Sequence, residues 1–256
     1  MDLELNNKNA LVCGSTQGIG KATALALAAE GVNVTLVARD ENKLKDVLKE
    51  LPQHRNHKYV VADFSNPKAL KEQLNGNGAY HILINNTGGP KSGLLYSATL
   101  EELTNAFNMH VLCNQILVQT CLPFMKKEGY GRIINVISTS VKEPIPGLGV
   151  SNTIRNAVAN WAKTLSGELA ELGITVNNVL PGFTDTARLE SIIKIKAEKE
   201  GTTLAEMEQI MKSYVPAKRF AKPEETADAI TFLASARAAY INGINLPVDG
   251  GRTKSL

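Results

Sequence analysis

The sequence predicts an α/β domain built on a single doubly wound parallel sheet with helices on both faces. Two observations carry this. Short apolar runs rich in β-branched residues alternate along the chain with stretches whose apolar residues recur at helical spacing. No linker, repeat or low-complexity segment interrupts the 256 residues, a length that one α/β core can fill. Residues 1–256 are therefore expected to form one domain, and 43% hydrophobic residues against 21% charged place it among ordinary globular chains.

The elements follow in order. Residues 10–13 are an apolar run ending in glycine-rich sequence, and 21–29 carry Ala and Leu at helical spacing, which predicts strand, turn and helix. The β-branched run 32–37 predicts a second strand, and Asp40 can cap the amphipathic helix 41–50. A strand at 59–62, a helix near 67–74 and a strand at 82–84 continue the alternation. A long helix is predicted over 100–126, then a strand at 132–136, a helix at 152–172 and a strand at 175–179. Beyond Pro181 comes a polar, mainly helical stretch, 186–214, then a helix near 223–235 and a last strand at 245–248.

Composition narrows the function classes. A net charge of +3 from 28 basic and 25 acidic residues, with no basic block, argues against a nucleic-acid partner. Residues 1–8 are polar and acidic, unlike a secretory signal, and no stretch reaches ~18 uninterrupted apolar residues, so no membrane association is expected and the cytoplasm is the expected compartment. Cys13, Cys113 and Cys121 are odd in number and lack Cys-x-x-Cys spacing. They read as free buried thiols, with no metal.

The first strand runs into Gly14-Ser15-Thr16-Gln17-Gly18-Ile19-Gly20, and a helix begins at once. Glycines there permit a tight turn, let backbone approach a pyrophosphate and let helix pack on strand, while the helix N-terminus offers free N–H groups. This is the turn of a Rossmann-type dinucleotide site. About 20 residues on, where an acidic residue would hold the ribose of NAD, the second strand ends in Ala38-Arg39-Asp40. Arg39 favours NADP(H) over NAD(H), as a guanidinium for the 2′-phosphate. Asp40 could instead face the ribose or cap the next helix, and Arg39 could be solvated surface.

With these residues in place, the whole chain resembles the short-chain dehydrogenase/reductase family, especially its 3-oxoacyl-acyl-carrier-protein reductase branch. The resemblance rests on Gly14-x-x-x-Gly18-Ile19-Gly20, on Asp63, and on Ile84-Asn85-Asn86-Thr87-Gly88, which is similar to the family's Asn-Asn-Ala-Gly. It extends through the segment 131–138, through Asn177-Asn178-Val179-Leu180-Pro181-Gly182 and through the segment 242–251. It implies that Asp63, with Phe64, meets the adenine, that Asn86, Thr87 and Gly88 line the cofactor, and that Pro181, Gly182 and Thr184 border the nicotinamide. It also implies hydride exchange between the cofactor and a small-molecule carbonyl or alcohol, a helical substrate lid at about 186–215, and a homo-oligomer, dimer or tetramer, through the helices at 100–126 and 152–171.

The family's catalytic groups are a Ser that orients the substrate oxygen, a Tyr that handles the proton, a Lys four residues later, and an Asn on an earlier helix. Ser138 stands in the serine's place. The tyrosine's place holds Ser151, the lysine's Arg155 and the asparagine's His110. Arg155 can still donate to ribose hydroxyls and supply charge, whereas an aliphatic hydroxyl is far less acidic than a phenol of pKa ~10. Three explanations stay open: another donor such as His110 or Tyr214, an unusual substrate or bound water that completes the proton path, or a catalytically impaired homologue acting as sensor or partner subunit. The lysines Lys194, Lys196, Lys199 and Lys212 of the lid are offset by glutamates and identify no substrate.

Overall fold

The apolar residues of Asn9–Cys13 point alternately to opposite sides of a sheet: Ala10 and Val12 join one core cluster, Leu11 and Cys13 the other. Such a strand needs cover on both faces. The structure, a computed structural model, describes residues 1–74, 76 and 78–255. Among these residues, strands β1 (Asn9–Cys13), β2 (Asn33–Ala38), β3 (Lys58–Val61), β4 (Ile82–Asn85), β5 (Gly131–Val136), β6 (Ile174–Pro181) and β7 (Asn245–Val248) form one parallel sheet. Its order is β3-β2-β1-β4-β5-β6-β7. The order reverses beside β1, and a crevice opens at the carboxyl ends of β1 and β4, where such sheets bind ligands.

The helices in chain order are α1 (Gly18–Ala29), α2 (Glu41–Glu50), α3 (Pro67–Gln73), α4 (Leu100–Phe107), α5 (Cys113–Glu128), α6 (Gly149–Leu169), α7 (Ala187–Glu200), α8 (Leu204–Ser213) and α9 (Pro223–Ala234). Leu27 of α1, Leu44 of α2 and Ile230 of α9 bury one face of the sheet. Leu70 of α3, Leu117 of α5 and Ala162 of α6 bury the other. Apart from the helix predicted over 100–126, the predicted strands and helices are present, with ends shifted by a few residues.

Two differences matter for function. The helix expected as one piece over 100–126 is interrupted by a π-helical turn, Asn108–Leu112, which turns the His110 side chain into the interior. The last long helix begins at Gly149, so Ser151 and Arg155 stand on its first turns, one above the other on one face. Beneath the crevice, buried asparagines bridge neighbouring strands. Asn85 donates to Asn135, Asn135 to Asn178 and Asn178 to Asn245, each at 2.8 Å, which ties the carboxyl halves of β4, β5 and β6 to the start of β7.

The polar stretch after Pro181 has an apolar stripe of its own. Leu189, Ile193 and Ala197 of α7 pack on Met207 and Met211 of α8, with Phe183 meeting Phe220 edge to face. This small core fixes α7 over the crevice.

Candidate functional site

A cleft of about 800 Å³ lies across the carboxyl ends of the strands. It is of the size that buries a cofactor and a small substrate together. At one end stands the glycine turn. Gly14 and Gly18 have φ of +60° and +54°, and a Cβ on Gly20 would lie 2.1 Å from the Gly14 carbonyl oxygen, so α1 can leave the strand only this closely with glycine there. Asn86 pins the arrangement by donating to the Cys13 and Gly14 carbonyls. The N-cap of α1, Gln17, makes no side-chain cap bond, and no acidic residue occupies the first turn. The free N–H groups and the dipole therefore face the cleft ready for an anion.

Arg39 and Lys43 line the cleft beyond the end of β2, exposed and without an ion-pair partner among the described residues. The Asp40 carboxylate accepts from the Lys43 backbone N–H and so caps α2, the second of the uses open to it. Two cations, with the carboxylate engaged by the helix, fit a nucleotide that carries an extra phosphate. Asp63 and Phe64 line the same end, the Asp63 carboxylate accepting from Ser65 N–H and the Phe64 carbonyl from the Cys113 thiol.

Of the expected cofactor residues, Gly14, Thr16, Gln17, Gly18, Ile19, Arg39, Asp63, Phe64, Asn86, Thr87, Gly88, Arg155, Pro181, Gly182 and Thr184 line the cleft. Ser15 and Gly20 do not. Ser15 is fully buried, its hydroxyl bonded to the backbone of Val37 on β2, and Gly20 serves the packing of α1 on β1.

At the other end Ser138, Ser151 and Arg155 line the cleft together. Ser138 follows β5 and caps the 3-10 turn Thr139–Val141 by accepting from Ser140 N–H at 3.1 Å, which fixes its side chain. Arg155 is only 8% exposed. Its Nη1 donates to the Val136 carbonyl at 3.1 Å and its Nε has no partner. Burial, and then the nearby charge of Arg188, pull the guanidinium down to about 10, so it stays charged at neutral pH.

His110 lies behind this group. It is 2% exposed and does not line the cleft; its Nδ1 is 2.7 Å from the Thr87 hydroxyl, which does. Burial, with the Arg155 charge beside it, pushes the imidazole down to about 2, so it is neutral and offers no imidazolium to a substrate. Thr87 and His110 stand where the family pattern has Ala and Asn, and the structure joins the two departures in one hydrogen bond. Tyr214, 58% exposed at the end of α8, is not part of the cleft.

The buried neutral imidazole has a consequence for stability. Below pH ~6.5 the unfolded chain binds a proton at His110 that the folded chain refuses until about pH 2, so stability falls with pH across that window. The slope is ~1.4 kcal/mol per pH unit. His110→Asn is therefore expected to recover about 2 kcal/mol at pH 5 relative to pH 7.5, measured as urea midpoints of the two proteins at both pH values. Parallel midpoints would contradict the assignment.

The sequence reading missed Lys43 and Arg188. Arg188, on the first turn of α7, lines the cleft, and its Nη2 donates to the Pro90 carbonyl at 3.1 Å. Cys13, Cys113 and Cys121 are free and buried, and burial pushes the thiols of Cys113 and Cys121 up to about 12. Among the described residues no group of three His, Cys, Asp or Glu side chains could hold a metal ion, and no helix is long and apolar enough to cross a membrane.

Comparisons with known proteins extend over the whole molecule. Residues 14–253 match the family model described as enoyl-(acyl carrier protein) reductase. The chain is 34% identical to a 3-oxoacyl-[acyl-carrier-protein] reductase, FabG, of Vibrio cholerae, over 97% of this chain and 98% of that one. It is 29% identical to the NADPH-dependent reductase BacG of Bacillus subtilis, over 98% and 100%. Among solved structures, the L-sorbose reductase of Gluconobacter frateurii, complexed with NADPH and L-sorbose, superposes with a TM-score of 0.93 at 30% identity, each chain covered in full.

Proposed function

The chain belongs to the short-chain dehydrogenase/reductase family, and from that premise we propose that it reduces a carbonyl to an alcohol at Ser138, Ser151 and Arg155, without the family's phenol. It is an NADP(H)-dependent oxidoreductase acting on C=O and CH–OH groups, and nothing in the comparisons favours a non-catalytic homologue. The observation that carries the catalytic assignment is the buried, unpaired guanidinium of Arg155 in one cleft with two serine hydroxyls.

Bound NADPH supplies a hydride to the carbonyl carbon. The protein's task is then the oxygen. The Ser138 and Ser151 hydroxyls donate hydrogen bonds to it, and the Arg155 charge, little screened by water, favours the negative charge that grows there. A product alkoxide is about as basic as a serine alkoxide or hydroxide, so a proton passed from water through the Ser151 hydroxyl completes the alcohol without an acidic side chain. The neutral Thr87–His110 pair holds the wall of the cleft and adds no charge to it.

No group of this set titrates between the ranges of His110 and Arg155, at about 2 and about 10. The value of kcat for NADPH oxidation is thus expected to be flat from about pH 5.5 to 9 and to fall above about 10 as Arg155 loses its proton. The test is spectrophotometric turnover of NADPH with ketones, diketones and 3-oxoacyl thioesters across that range. Tight NADPH binding without turnover of any of them, oxo acids included, would sink the proposal. Ser151→Tyr combined with Arg155→Lys is expected to introduce a titrating limb that the native protein lacks.

We also read the chain as one dinucleotide-binding domain with α7 and α8 as its substrate lid. Buried free thiols accord with the reducing cytoplasm. The exposed Leu94, Tyr96, Leu100 and Phe107 accord with a homo-oligomer, which light scattering in solution tests.

A further inference from the structure

Two guanidiniums, Arg155 of α6 and Arg188 of α7, approach neighbouring residues of one short loop. The Arg188 Nη2 donates to the Pro90 carbonyl, and Gly89 lies so near Arg155 that a Cβ there would be 3.7 Å from its Nη2. Both side chains line the cleft, near enough that the Arg188 charge bears on Arg155. Neither has a carboxylate partner among the described residues. The acids that line the cleft, Asp40 and Asp63, are at its far end, beside Arg39 and Phe64.

This is an unbalanced arrangement. Two like charges close together, one of them buried, are costly until an anion joins them. The serines beside Arg155 do not ionise, so the protein itself offers no countercharge. The phosphate-binding features are the glycine turn and Arg39 with Lys43. The start of α7 touches that turn, a Cβ on Gly18 coming within 3.0 Å of Thr186, but the Arg188 guanidinium reaches the Pro90 carbonyl instead. The part of the cofactor that Arg155 would meet by family resemblance is a ribose, which is neutral. The walls around the two arginines, Leu148, Phe183, Leu189 and Ile192, are apolar.

Resting on the carbonyl-reductase reading, we infer that the substrate is a carbonyl compound with an apolar body and a carboxylate, the carboxylate held between Arg155 and Arg188. The planar guanidinium fork suits a carboxylate, and seating it from α7 ties the lid to the Gly89-Pro90 loop over the reacting carbonyl. The acid thus orients the carbonyl toward Ser138 and Ser151. The product is the corresponding hydroxy acid.

The experiment compares 4-oxopentanoate, 5-oxohexanoate and benzoylformate with their methyl esters and primary amides, using NADPH and the full chain. At least one acid is expected to exceed its ester in kcat/KM by about 30-fold or more, because the neutral analogue leaves the buried charge unpaired. Arg188→Leu, an exposed position that the fold tolerates, is expected to cut that ratio about tenfold, mainly through KM for the acid. Equal kcat/KM for every acid and its ester overturns the inference. So does an Arg188→Leu variant that binds NADPH more weakly without substrate while the ratio stays unchanged, since Arg188 would then serve the cofactor. If no probe oxidises NADPH, the carbonyl-reductase reading fails, and the inference is decided by binding alone. Saturable quenching of bound NADPH fluorescence by an acid and not by its ester supports the carboxylate site; no saturation by any acid overturns it.

Discussion

Arg155→Met is expected to cripple carbonyl reduction and at the same time make the protein more stable. The two effects share one cause. The guanidinium is 8% exposed, its Nε is unpartnered, and no carboxylate pairs with it among the described residues. A charge in that position costs several kcal/mol of folding free energy, of which the single bond to the Val136 carbonyl returns only part. Methionine fills much of the same volume without the charge and adapts to irregular space. A net gain of about 1–3 kcal/mol is expected, visible as a rise in Tm of several degrees. Removing the same charge takes away the main stabilisation of the oxyanion, so kcat/KM is expected to fall about 10²–10³-fold. Differential scanning fluorimetry and steady-state kinetics on the same preparation check both. A variant that lost stability would show that Arg155 belongs to the fold and not to the reaction.

That opposition explains which parts of the molecule were legible in the sequence. The sheet was, because its central strands β1, β2, β4, β5 and β6 are apolar runs buried on both faces, and the glycine turn was, because its backbone geometry admits few residues. Helix ends and single side chains were less so. The motif Gly14 to Gly20 assigns a ligand contact to every member, yet Ser15 is turned inward and consumed by Val37, and Gly20 is spent on packing α1 against β1. His110 could be placed by register, but its direction depends on the π turn at Asn108–Leu112, which no periodicity announces. Its partner was visible as a second departure, Thr87 for Ala, and only the fold brings the two to 2.7 Å. Arg188 was hidden for a different reason. It opens a polar stretch full of charges, where four lysines drew attention and none of them lines the cleft.

Lys43 is the other cation that only the fold reveals, and with Arg39 it sets the second large effect. Replacing both residues with alanine is expected to raise the Kd for NADPH about 10²-fold while leaving that for NADH nearly unchanged. Each cation makes a charge-assisted contact of the kind worth about 1.5–3 kcal/mol when shielded, but both are exposed. Solvent and salt reduce the pair to about 2.7 kcal/mol, which is the hundredfold stated. The helix itself is safe from the change, because Asp40 caps α2 through the backbone N–H of residue 43 and not through the lysine side chain. The Asp40 carboxylate is held in that bond, so the double variant gains no ribose-binding acid and acquires no new affinity for NADH. Fluorescence titration with both nucleotides at low and at ~0.5 M salt distinguishes the contributions: the native preference for NADPH should shrink with salt, and the variant's should not. A preference that survives the double substitution would move the 2′-phosphate away from the end of β2. The substrate end of the cleft should not notice, since Arg155 and Arg188 lie across it, and kcat at saturating NADPH is expected to remain native.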